Sequence, residues 1–266
     1  MAATGGTASG TQSVERALSL LSYFTDEQPE RRIAELVELS GLGQSTVSRL
    51  VAALESLGYL VRDERSGLHR IGPKVVELAG VALNQSAVHR AGRQVAQNLA
   101  HELGLGANVA ERHRDRMFYL CHFEGPLAPR TFTLTGRSAP LHATAMGKAL
   151  LSGLAEDEVR DVMGPDYPAY TRKTITGLAG LLDALAETRA RGYATEVEEL
   201  AFGRACLAAP VRDRSGAVVA ALSVSGSLSA MDLAARQDTL AARTVEYADQ
   251  ISTGLGFLAH AHPAAL

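Results

Sequence analysis

The sequence predicts an α+β protein in which an N-terminal winged helix-turn-helix is joined by a linker helix to a larger domain with an antiparallel sheet. Residues 33–71 have the pattern of a short helix, a glycine turn, a second amphipathic helix and a charged hairpin. Strand-like segments within residues 107–123 and 206–224 flank charged turns. The 266 residues, 46% of them hydrophobic, suffice for two domains that each bury a core.

A tail and three helices precede the hairpin. Residues 1–12 are rich in Gly, Ala, Thr and Ser, so we expect a disordered tail there. Apolar residues then recur at helical spacing, and the winged helix-turn-helix is predicted over residues 13–72. Its elements are a helix that Ser13 caps and that ends before Pro29, a second from Ile33 that stops at Ser40-Gly41, a third that stops at Gly58, and a hairpin of Tyr59–Arg62 and Leu68–Ile71.

A linker helix is predicted over residues 73–84, and the second domain over residues 85–266. In this domain, segments with strand-like alternation are separated by amphipathic helices. The predicted strands are Ala107–Arg112, Met117–Phe123, Thr131–Thr135, Cys206–Val211 and Ala217–Val224, and the predicted helices are one through Val95 and Leu99, Ala145–Leu154, Glu156–Met163, Gly180–Arg191 and a last one that opens at Ser229.

The third helix has two faces of different chemistry. Short polar side chains and an arginine near a helix N-terminus suit the major groove of DNA, where arginine can make a bidentate contact with guanine. A solvated amphipathic helix gives the same pattern, so the helix alone leaves both interpretations open. A helical wheel places Val47, Leu50, Val51 and Leu54 inward and Ser45, Arg49, Ala52 and Ser56 outward, with Gln44, Thr46 and Ser48 beside the outward face.

Charge restricts any DNA contact to a local patch. The net charge of −3 and the isoelectric point of about 6.2 exclude a broad basic coat, and residues 1–72 carry seven Arg and no Lys against nine Asp and Glu. This balance, with Asp63-Glu64 at the tip of the hairpin, keeps a protein-binding winged helix open as an alternative. The hairpin favours DNA because it carries basic residues where a wing meets phosphates, namely Arg62, Arg65, His69 and Arg70.

Motifs in both halves of the chain resemble the IclR family of regulators. The N-terminal ones are Ile33-Ala-Glu-Leu, Ser40-Gly-Leu, Ser45-Thr-Val-Ser-Arg-Leu and Leu57-Gly-Tyr-Leu; the C-terminal ones are Leu141-His-Ala-Thr-Ala-Met-Gly-Lys-Ala-Leu, Arg191-Gly-Tyr, Glu198-Glu199, Gly203, Cys206-Leu-Ala-Ala-Pro-Val and Leu222-Ser-Val-Ser-Gly. The resemblance covers about residues 13–258 and implies a dimeric, ligand-responsive transcription factor, most often a repressor, with a GAF-like effector domain.

The partners expected from this resemblance are a double-stranded DNA operator, a small-molecule effector and a second copy of the chain. The sequence leaves open whether dimers pair into tetramers. We expect a cytoplasmic protein. The predicted DNA-contacting residues are Gln44, Ser45, Thr46, Ser48, Arg49, Arg65 and Arg70.

A candidate effector site combines a strand and a helix start. Ser223 and Ser225 share one strand face, and although such hydroxyls more often meet solvent, the resemblance favours a pocket. Free N–H groups at the helix start of Ala145 and Met146 favour an anion such as a carboxylate. The resemblance adds Glu196 and Cys206 to these four predicted effector-binding residues. It also implies that Met146 and Glu196 stand where smaller side chains can occur, which should reduce or reshape the cavity.

Other chemistry-bearing residues give weaker signals. Arg204 could pair with an acidic effector, although an exposed loop arginine is commoner. Cys121 and Cys206 lack CxxC spacing, which argues against a disulfide framework or a zinc site and suits a reducing compartment. Cys206 is predicted to be a buried small side chain. His142 is the best single candidate for catalysis or metal binding, but a lone His more often fixes a turn. Glu198-Glu199 is predicted to lie in a solvated loop.

The sequence therefore predicts a non-enzymatic protein. We expect no cofactor and no metal site, and the longest apolar runs are too short to span a membrane. The alternative function is a small-molecule hydrolase or isomerase with an appended winged-helix interaction domain.

Overall fold

Two hydrophobic cores, on either side of the junction between Gln85 and Ser86, divide the chain into two compact units. The computed structural model describes residues 6–128 and 134–258. The N-terminal core contains the apolar faces of three helices and the start of the hairpin, with Leu20, Leu36 and Leu60 buried at its centre. The larger core lies in the second unit, between one face of its sheet and the helices that cover that face.

The N-terminal unit is a winged helix-turn-helix, as the sequence predicts. Its elements are α1 (Gly6–Leu21), β1 (Glu30–Arg31), α2 (Ile33–Ser40), α3 (Gln44–Ser56), β2 (Leu60–Arg62), β3 (His69–Ile71) and α4 (Pro73–Gln85). The strands form an antiparallel sheet in the order β1-β3-β2. Gly41 ends α2 at φ 67°, a left-handed conformation that favours glycine. The inward face predicted for α3 is confirmed, since Val47, Leu50, Val51 and Leu54 are buried.

Two features of this unit differ from the sequence expectations. The first helix begins at Gly6 rather than Ser13, so residues 6–12 of the expected tail are helical; residues 1–5 lie outside the described part of the chain. Extending a formed helix is easier than nucleating one, which lets small polar residues join it. The sequence also gives no sign of β1, because two residues are too few to show alternation; Glu30 pairs with Arg70 of β3.

The second unit contains the larger, antiparallel sheet. In chain order its elements are α5 (Ala87–Leu103), β4 (Gly106–His113), β5 (Arg116–Phe123), β6 (Ser138–Pro140), α6 (Ala145–Leu151), α7 (Glu156–Met163), α8 (Leu178–Arg191), β7 (Ala194–Val197), β8 (Arg204–Arg212), β9 (Val218–Ser227), α9 (Leu228–Met231) and α10 (Leu233–Gly254). The six strands follow the order β6-β5-β4-β9-β8-β7, with every neighbouring pair antiparallel. The predicted α+β class with an antiparallel sheet is confirmed.

Helices cover both faces of this sheet. On one face α5 and α10 pack together, and a side chain at Gly92 of α5 would meet Val109 of β4 and Ile251 of α10. On the other face α6 packs against β8, β9 and α8. The candidate site lies on this second face, where a cavity remains between α6 and part of the sheet.

The sequence patterns miss or misplace several elements here. Strands β6 and β7 are short, three and four residues, and give too little alternation to be recognised. The last helix does not open at Ser229: Ser227 caps the short α9, and α10 begins after Asp232, whose φ of 37° breaks the helix. Residues 131–133 of the strand predicted over Thr131–Thr135 lie outside the described residues.

Gly147 allows α6 to pack closely on the segment before it. A Cβ at this position would lie 2.1 Å from the carbonyl oxygen of Leu141. We therefore expect Gly147→Ala to lower the free energy of unfolding by about 1–3 kcal/mol, because backbone must move to relieve the overlap. Gly180→Ala is the control, since Gly180 is also helical and its nearest neighbour is the methyl of Ile175 at 3.4 Å. Urea unfolding measures both, and equal stability of the two variants would contradict the expectation.

Candidate functional sites

The outward face of α3 consists of short polar side chains and one arginine. Gln44, Ser45 and Arg49 are exposed, whereas Thr46 and Ser48 are half-buried at the edge of the same face. The α3 helix begins after Gly43, and no side chain caps its first turn. The N–H of Thr46 donates to the carbonyl oxygen of Gly43 at 2.9 Å, whereas no acceptor among the described residues is recorded for the N–H groups of Gln44 and Ser45. Such a face can approach the edges of DNA bases closely.

The wing between β2 and β3 is a tight turn fixed by Asp63. Its carboxylate accepts hydrogen bonds from the N–H groups of Arg65 at 2.8 Å and Ser66 at 3.3 Å. These backbone hydrogen bonds lower the pKa of Asp63 below its ordinary value. From the sequence alone, the acidic residues at the tip of the hairpin argue against DNA binding. In the structure, Asp63 stabilises the turn. Beside it, Arg65 and Arg70 are exposed.

His69 does not belong to the exposed basic set of the wing. Its side chain is 2% exposed and faces inward, with Nε2 3.4 Å from Oε1 of Glu55 on α3. The expectation that it meets phosphates is wrong, because side chains alternate along β3 and His69 lies on the face opposite Arg70. Arg62 is exposed on β2.

A cavity of about 380 Å³ lies between α6 and the sheet of the second unit. Its volume is at the low end of the range for small-molecule sites, roughly 300–1,000 Å³. All six residues predicted to bind an effector line it: Ala145, Met146, Glu196, Cys206, Ser223 and Ser225. The lining also includes polar residues that the sequence did not suggest, Asn108, Tyr119, His122, Glu124 and Thr144, and the apolar residues Ala128, Leu134, Leu200 and Ala201.

Strand register brings the predicted residues together on the cavity floor. Ser225 of β9 pairs with Cys206 of β8, which in turn pairs with Glu196 of β7. One step along the same face, Ser223 pairs with Asn108 of β4. Cross-strand partners lie about 5 Å apart at Cα, so these side chains form a continuous polar floor.

Asn108 is the centre of a hydrogen-bond cluster on this floor. Its amide Nδ2 donates to the hydroxyl oxygens of Ser223 at 3.2 Å and Ser225 at 3.4 Å. Its Oδ1 lies 2.7 Å from Nδ1 of His122, and Nε2 of His122 lies 3.4 Å from Oε1 of Glu124. In the sequence, Asn108 is noticeable only as a polar residue in an otherwise apolar strand. The pairing with Ser223 shows that its side chain faces the cavity.

Glu196 is a buried acid that also fixes the loop after β7. It is 3% exposed, and its Oε1 accepts hydrogen bonds from the N–H groups of Glu199 at 2.5 Å and Leu200 at 3.3 Å. Burial raises the pKa of Glu196, and these hydrogen bonds oppose the rise only in part. Burial and the nearby Glu196 also raise the pKa of the Cys206 thiol. Cys206 therefore stays a thiol at neutral pH, which does not suit a nucleophile.

A buried ion pair ties α6 to the same loop. Lys148 is 4% exposed, and its Nζ lies 2.6 Å from Oε1 of Glu199. The backbone carbonyl of Glu199 accepts a hydrogen bond from Thr174 at 2.6 Å. Glu198 pairs with Lys173 at 2.7 Å. The expectation that Glu198-Glu199 is a solvated loop is wrong for Glu199, because Lys148 draws its side chain inward.

Arg204 begins β8 and lines the cavity, half-buried, two residues from Cys206 on the same strand face. This placement differs from the exposed loop position that the sequence favoured. The guanidinium is close enough for its charge to lower the pKa of Tyr119 and of Cys206 against the larger effect of burial. No carboxylate of residues 6–128 or 134–258 forms an ion pair with it. The cavity thus contains a cation whose charge is available to a ligand.

His142 has a structural role. Its Nε2 lies 3.0 Å from the carbonyl oxygen of Pro168, and its ring packs edge-on against Tyr167 with centroids 5.6 Å apart. No cluster of three His, Cys, Asp or Glu side chains suited to a metal ion occurs within the described residues. Among the helices described, none has the length and apolar composition needed to span a membrane.

Both units match families of known domains. Residues 13–64 match the IclR helix-turn-helix domain, and residues 81–253 match the domain described as Bacterial transcriptional regulator IclR C-terminal. The second match alone covers more than half of the chain.

Individual relatives extend over most of the chain. The HTH-type transcriptional regulator XynR of Escherichia coli (strain K12) is 33% identical over 222 residues, which cover 83% of this chain and 88% of XynR. The DNA-binding transcriptional repressor YiaJ of the same strain is 32% identical over 254 residues, 93% of this chain and 89% of YiaJ. The crystal structure of an IclR transcriptional regulator from Alicyclobacillus acidocaldarius has a TM-score of 0.81 at 25% identity, covering 92% of this chain and 99% of that one.

Glu196 should make stability depend on pH. Because burial raises its pKa in the folded state, its stabilising contribution is complete below its unfolded pKa, about 4.3, and is lost as the pH rises through the folded pKa. Glu196→Gln keeps an acceptor oxygen but cannot ionise. As the pH rises above about 4.3, the unmodified protein loses this contribution and the variant does not, so the free energy of unfolding of the variant should rise relative to that of the unmodified protein. Urea unfolding at several pH values measures this, with Glu187→Gln on exposed α8 surface as control; a difference that stays constant with pH would contradict it.

Proposed function

Since the chain belongs to the IclR family of transcriptional regulators, we propose that its N-terminal unit represses transcription from a pseudo-palindromic operator and that a small carboxylate bound in the cavity controls this. The relatives are DNA-binding regulators with a C-terminal effector-binding domain, and none supports the enzyme alternative. The observation that carries the proposal is the convergence of six residues from four separate segments of chain on one cavity.

Exposed residues of α3 and the wing support operator recognition. Arg49 stands near the N-terminal end of α3 among short side chains, where it can reach a guanine in the major groove. Arg65 and Arg70 are exposed on the wing, where cations contact phosphates irrespective of sequence. Gln44, Ser45, Thr46 and Ser48 complete the proposed DNA-contacting set.

The cavity supports an acidic effector through its side chains. Ser223 and Ser225 present buried hydroxyls, and Arg204 supplies a cation without a carboxylate partner among the described residues. The first turn of α6 adds N–H groups at Ala145 and Met146, while Thr144 caps the next one, at Gly147. Because α6 has only seven residues, its dipole contributes little, and Arg204 provides most of the attraction for an anion.

Apolar exposure supports a homodimer. Val14 and Leu18 of α1 are 60% and 53% exposed, and Val76 and Val81 of α4 are 72% and 54% exposed. No residue of α4 is buried. Large apolar side chains grouped on helices in this way are typical of protein interfaces. A two-fold dimer would present two recognition helices to the half-sites of a pseudo-palindrome, in the cytoplasm where bacterial DNA lies. Pairing of dimers into tetramers is compatible with this arrangement.

Control by an effector requires unequal binding. A ligand shifts the equilibrium between DNA-competent and DNA-incompetent states only by the difference in its affinity for them. Residues that bind the effector should therefore change the ligand concentration needed for release, while residues that bind DNA should change operator affinity itself. Variants of the two sites can test the two halves of the proposal separately.

Alanine substitutions of Arg49 and of the wing arginines should have different effects on DNA binding. An operator is first obtained by selecting binding sites from random double-stranded DNA with the full chain. On this operator Arg49→Ala should lose about 1–3 kcal/mol of binding free energy and relax the sequence preference, because a base contact is removed. Arg65→Ala or Arg70→Ala should weaken binding to operator and scrambled DNA alike, because only phosphate contacts are lost. Gel shifts on both DNAs measure this; an equal loss from Arg49→Ala on operator and scrambled DNA would exclude its recognition role.

Ser223 and Ser225 should affect sensing without affecting DNA binding. If they contact the effector, Ser223→Ala and Ser225→Ala should each weaken it by about 0.5–3 kcal/mol, since a hydrogen bond to the ligand is lost. Calorimetry of the full chain with a panel of small monocarboxylates measures affinity, and operator release by the same compounds measures sensing. Operator affinity without ligand should stay unchanged, and Ser229→Ala, which removes an exposed hydroxyl outside the cavity lining, is the control. Unchanged ligand affinity in both serine variants would remove them from the effector site.

A further inference from the structure

Two hairpin turns lie side by side at one end of the six-stranded sheet. One joins β4 to β5 and the other joins β8 to β9. They are neighbours because β4 pairs with β9, with Glu111 opposite Ala220 close to both turns. Gly106 and Ser225, which line the cavity, pair near the other ends of the same two strands. The surface formed by the turns is therefore separate from the proposed effector site.

Arginine dominates the exposed charge of these turns. Within residues 111–116 and 212–217, four arginines are exposed against one exposed carboxylate, that of Asp115. In the parts of the chain that the structure describes, none of these four guanidinium groups forms an ion pair. We name this set the basic tips; it consists of Arg112, Arg114, Arg116 and Arg214.

The two other acids of the turns are engaged in fixed contacts. Asp213 accepts hydrogen bonds from the N–H of Ser215 at 2.8 Å and from its hydroxyl at 2.6 Å. Glu111 is half-buried and hydrogen-bonded to the side chain of Ser86 at the start of α5. Asp213 is thus held within its own turn and Glu111 against α5, while the four arginines stay exposed.

Hydrogen bonds hold two of the arginines in place without neutralising them. Arg112 donates from Nη1 to the carbonyl oxygen of Arg114 at 3.0 Å, and Arg116 donates from Nε to the hydroxyl of Ser138 at 3.1 Å. All three arginines of the first turn line one groove of about 510 Å³. An anion in this groove meets several guanidinium groups, whose planar donors suit the oxygen atoms of a phosphate.

The chain enters the second unit beside the basic tips. Ser86 is the first residue of this unit and caps α5, and its side chain is hydrogen-bonded to Glu111 next to the first turn. DNA held by the N-terminal unit is therefore tethered to the end of the second unit that carries the tips. A tethered contact benefits from a high effective concentration, so even weak contacts with phosphates add to affinity.

We propose that the basic tips contact phosphates of the double-stranded DNA that flanks the operator. The inference rests on the proposed function, because it presupposes that the N-terminal unit binds an operator. Duplex DNA complements the tips, since it carries one negative charge per about 1.7 Å of its axis. These contacts are independent of sequence and add to the base recognition by α3. The second unit thus contributes to DNA affinity through a surface separate from its cavity.

DNA length tests the proposal with the full chain. The probes are a short duplex that ends at the boundaries of the selected operator and a long duplex with about 20 random base pairs added on each side. The unmodified protein should bind the long duplex about tenfold more tightly, since three exposed charge contacts together contribute about that much. The triple variant Arg112→Gln, Arg114→Gln, Arg116→Gln should bind both duplexes alike.

Salt dependence gives a second readout of the same contacts. On the long duplex, the slope of log K against log salt concentration should become smaller by about 0.9 for each phosphate contact that the triple variant loses, whereas on the short duplex it should stay unchanged. If the triple variant does not fold, Arg114→Gln and Arg114→Glu replace it. The charge reversal should then weaken binding to the long duplex more than the neutral change does.

A matched control lies at the opposite end of the sheet. Arg172 is exposed beside Thr171, whose hydroxyl donates to the carbonyl oxygen of Glu198, the residue after β7. Arg172→Gln removes one exposed positive charge from the same unit, as Arg114→Gln does. It should leave the affinities for both duplexes and the salt slope unchanged.

The possible results separate this inference from the proposed function. If the unmodified protein shows no preference for the long duplex, or if the triple variant keeps that preference, the tips do not contact flanking DNA and the inference is wrong. An acidic protein surface is then the alternative partner. An equal loss on both duplexes also contradicts it. The proposed function is decided independently by Arg49→Ala on the short duplex, which contains the operator alone.

Discussion

The register of β9 at the centre of the six-stranded sheet determines what the cavity contains. It sets Ser223 beside Asn108 of β4 and Ser225 beside Cys206 of β8. Because side chains alternate across a strand, a slip of one residue would turn both serines away and bring Leu222 to the cavity face. Burial of that leucine on the opposite face, under α5 and α10, opposes such a slip. Apolar packing on one face of β9 therefore determines which polar side chains its other face presents to the cavity.

Several buried polar groups on and around the cavity floor are paired before a ligand arrives, whereas the half-buried Arg204 has no carboxylate partner among the described residues. Asn108 is paired with two serines and His122, and Glu196 accepts two backbone N–H groups. Lys148, buried on α6, is paired with Glu199. An unpaired polar group in such a place would cost several kcal/mol by roughly the transfer free energy of an amide or hydroxyl. The pairing also fixes the side chains in position, which lowers the entropy lost when a ligand binds.

An element of this fold can be predicted from the sequence when the interactions that form it are local along the chain. Helices and long strands repeat their pattern within one segment, so α3 with its faces and the pair β8 and β9 were predictable. Strands β1, β6 and β7 are too short to show a period. Asn108 and Ser223 are 115 residues apart, and no local pattern shows that they meet. Arg204 was misplaced for the same reason, because its burial depends on partners from other strands.

The charge of the N-terminal unit illustrates the same limit. Counted over the sequence, acidic residues outnumber arginines there, yet several of the acids are bound internally. Asp63 accepts hydrogen bonds within the wing turn, Glu35 accepts one from the N–H of Arg32 at 2.6 Å, and Glu55 faces the buried His69. These carboxylates keep their negative charge, but their contacts fix them in the wing turn, at the start of α2 and beside β3, while Arg49 stays exposed on α3. A local positive face can therefore exist on a unit whose net charge is negative, because the fold decides where on the surface each charge lies.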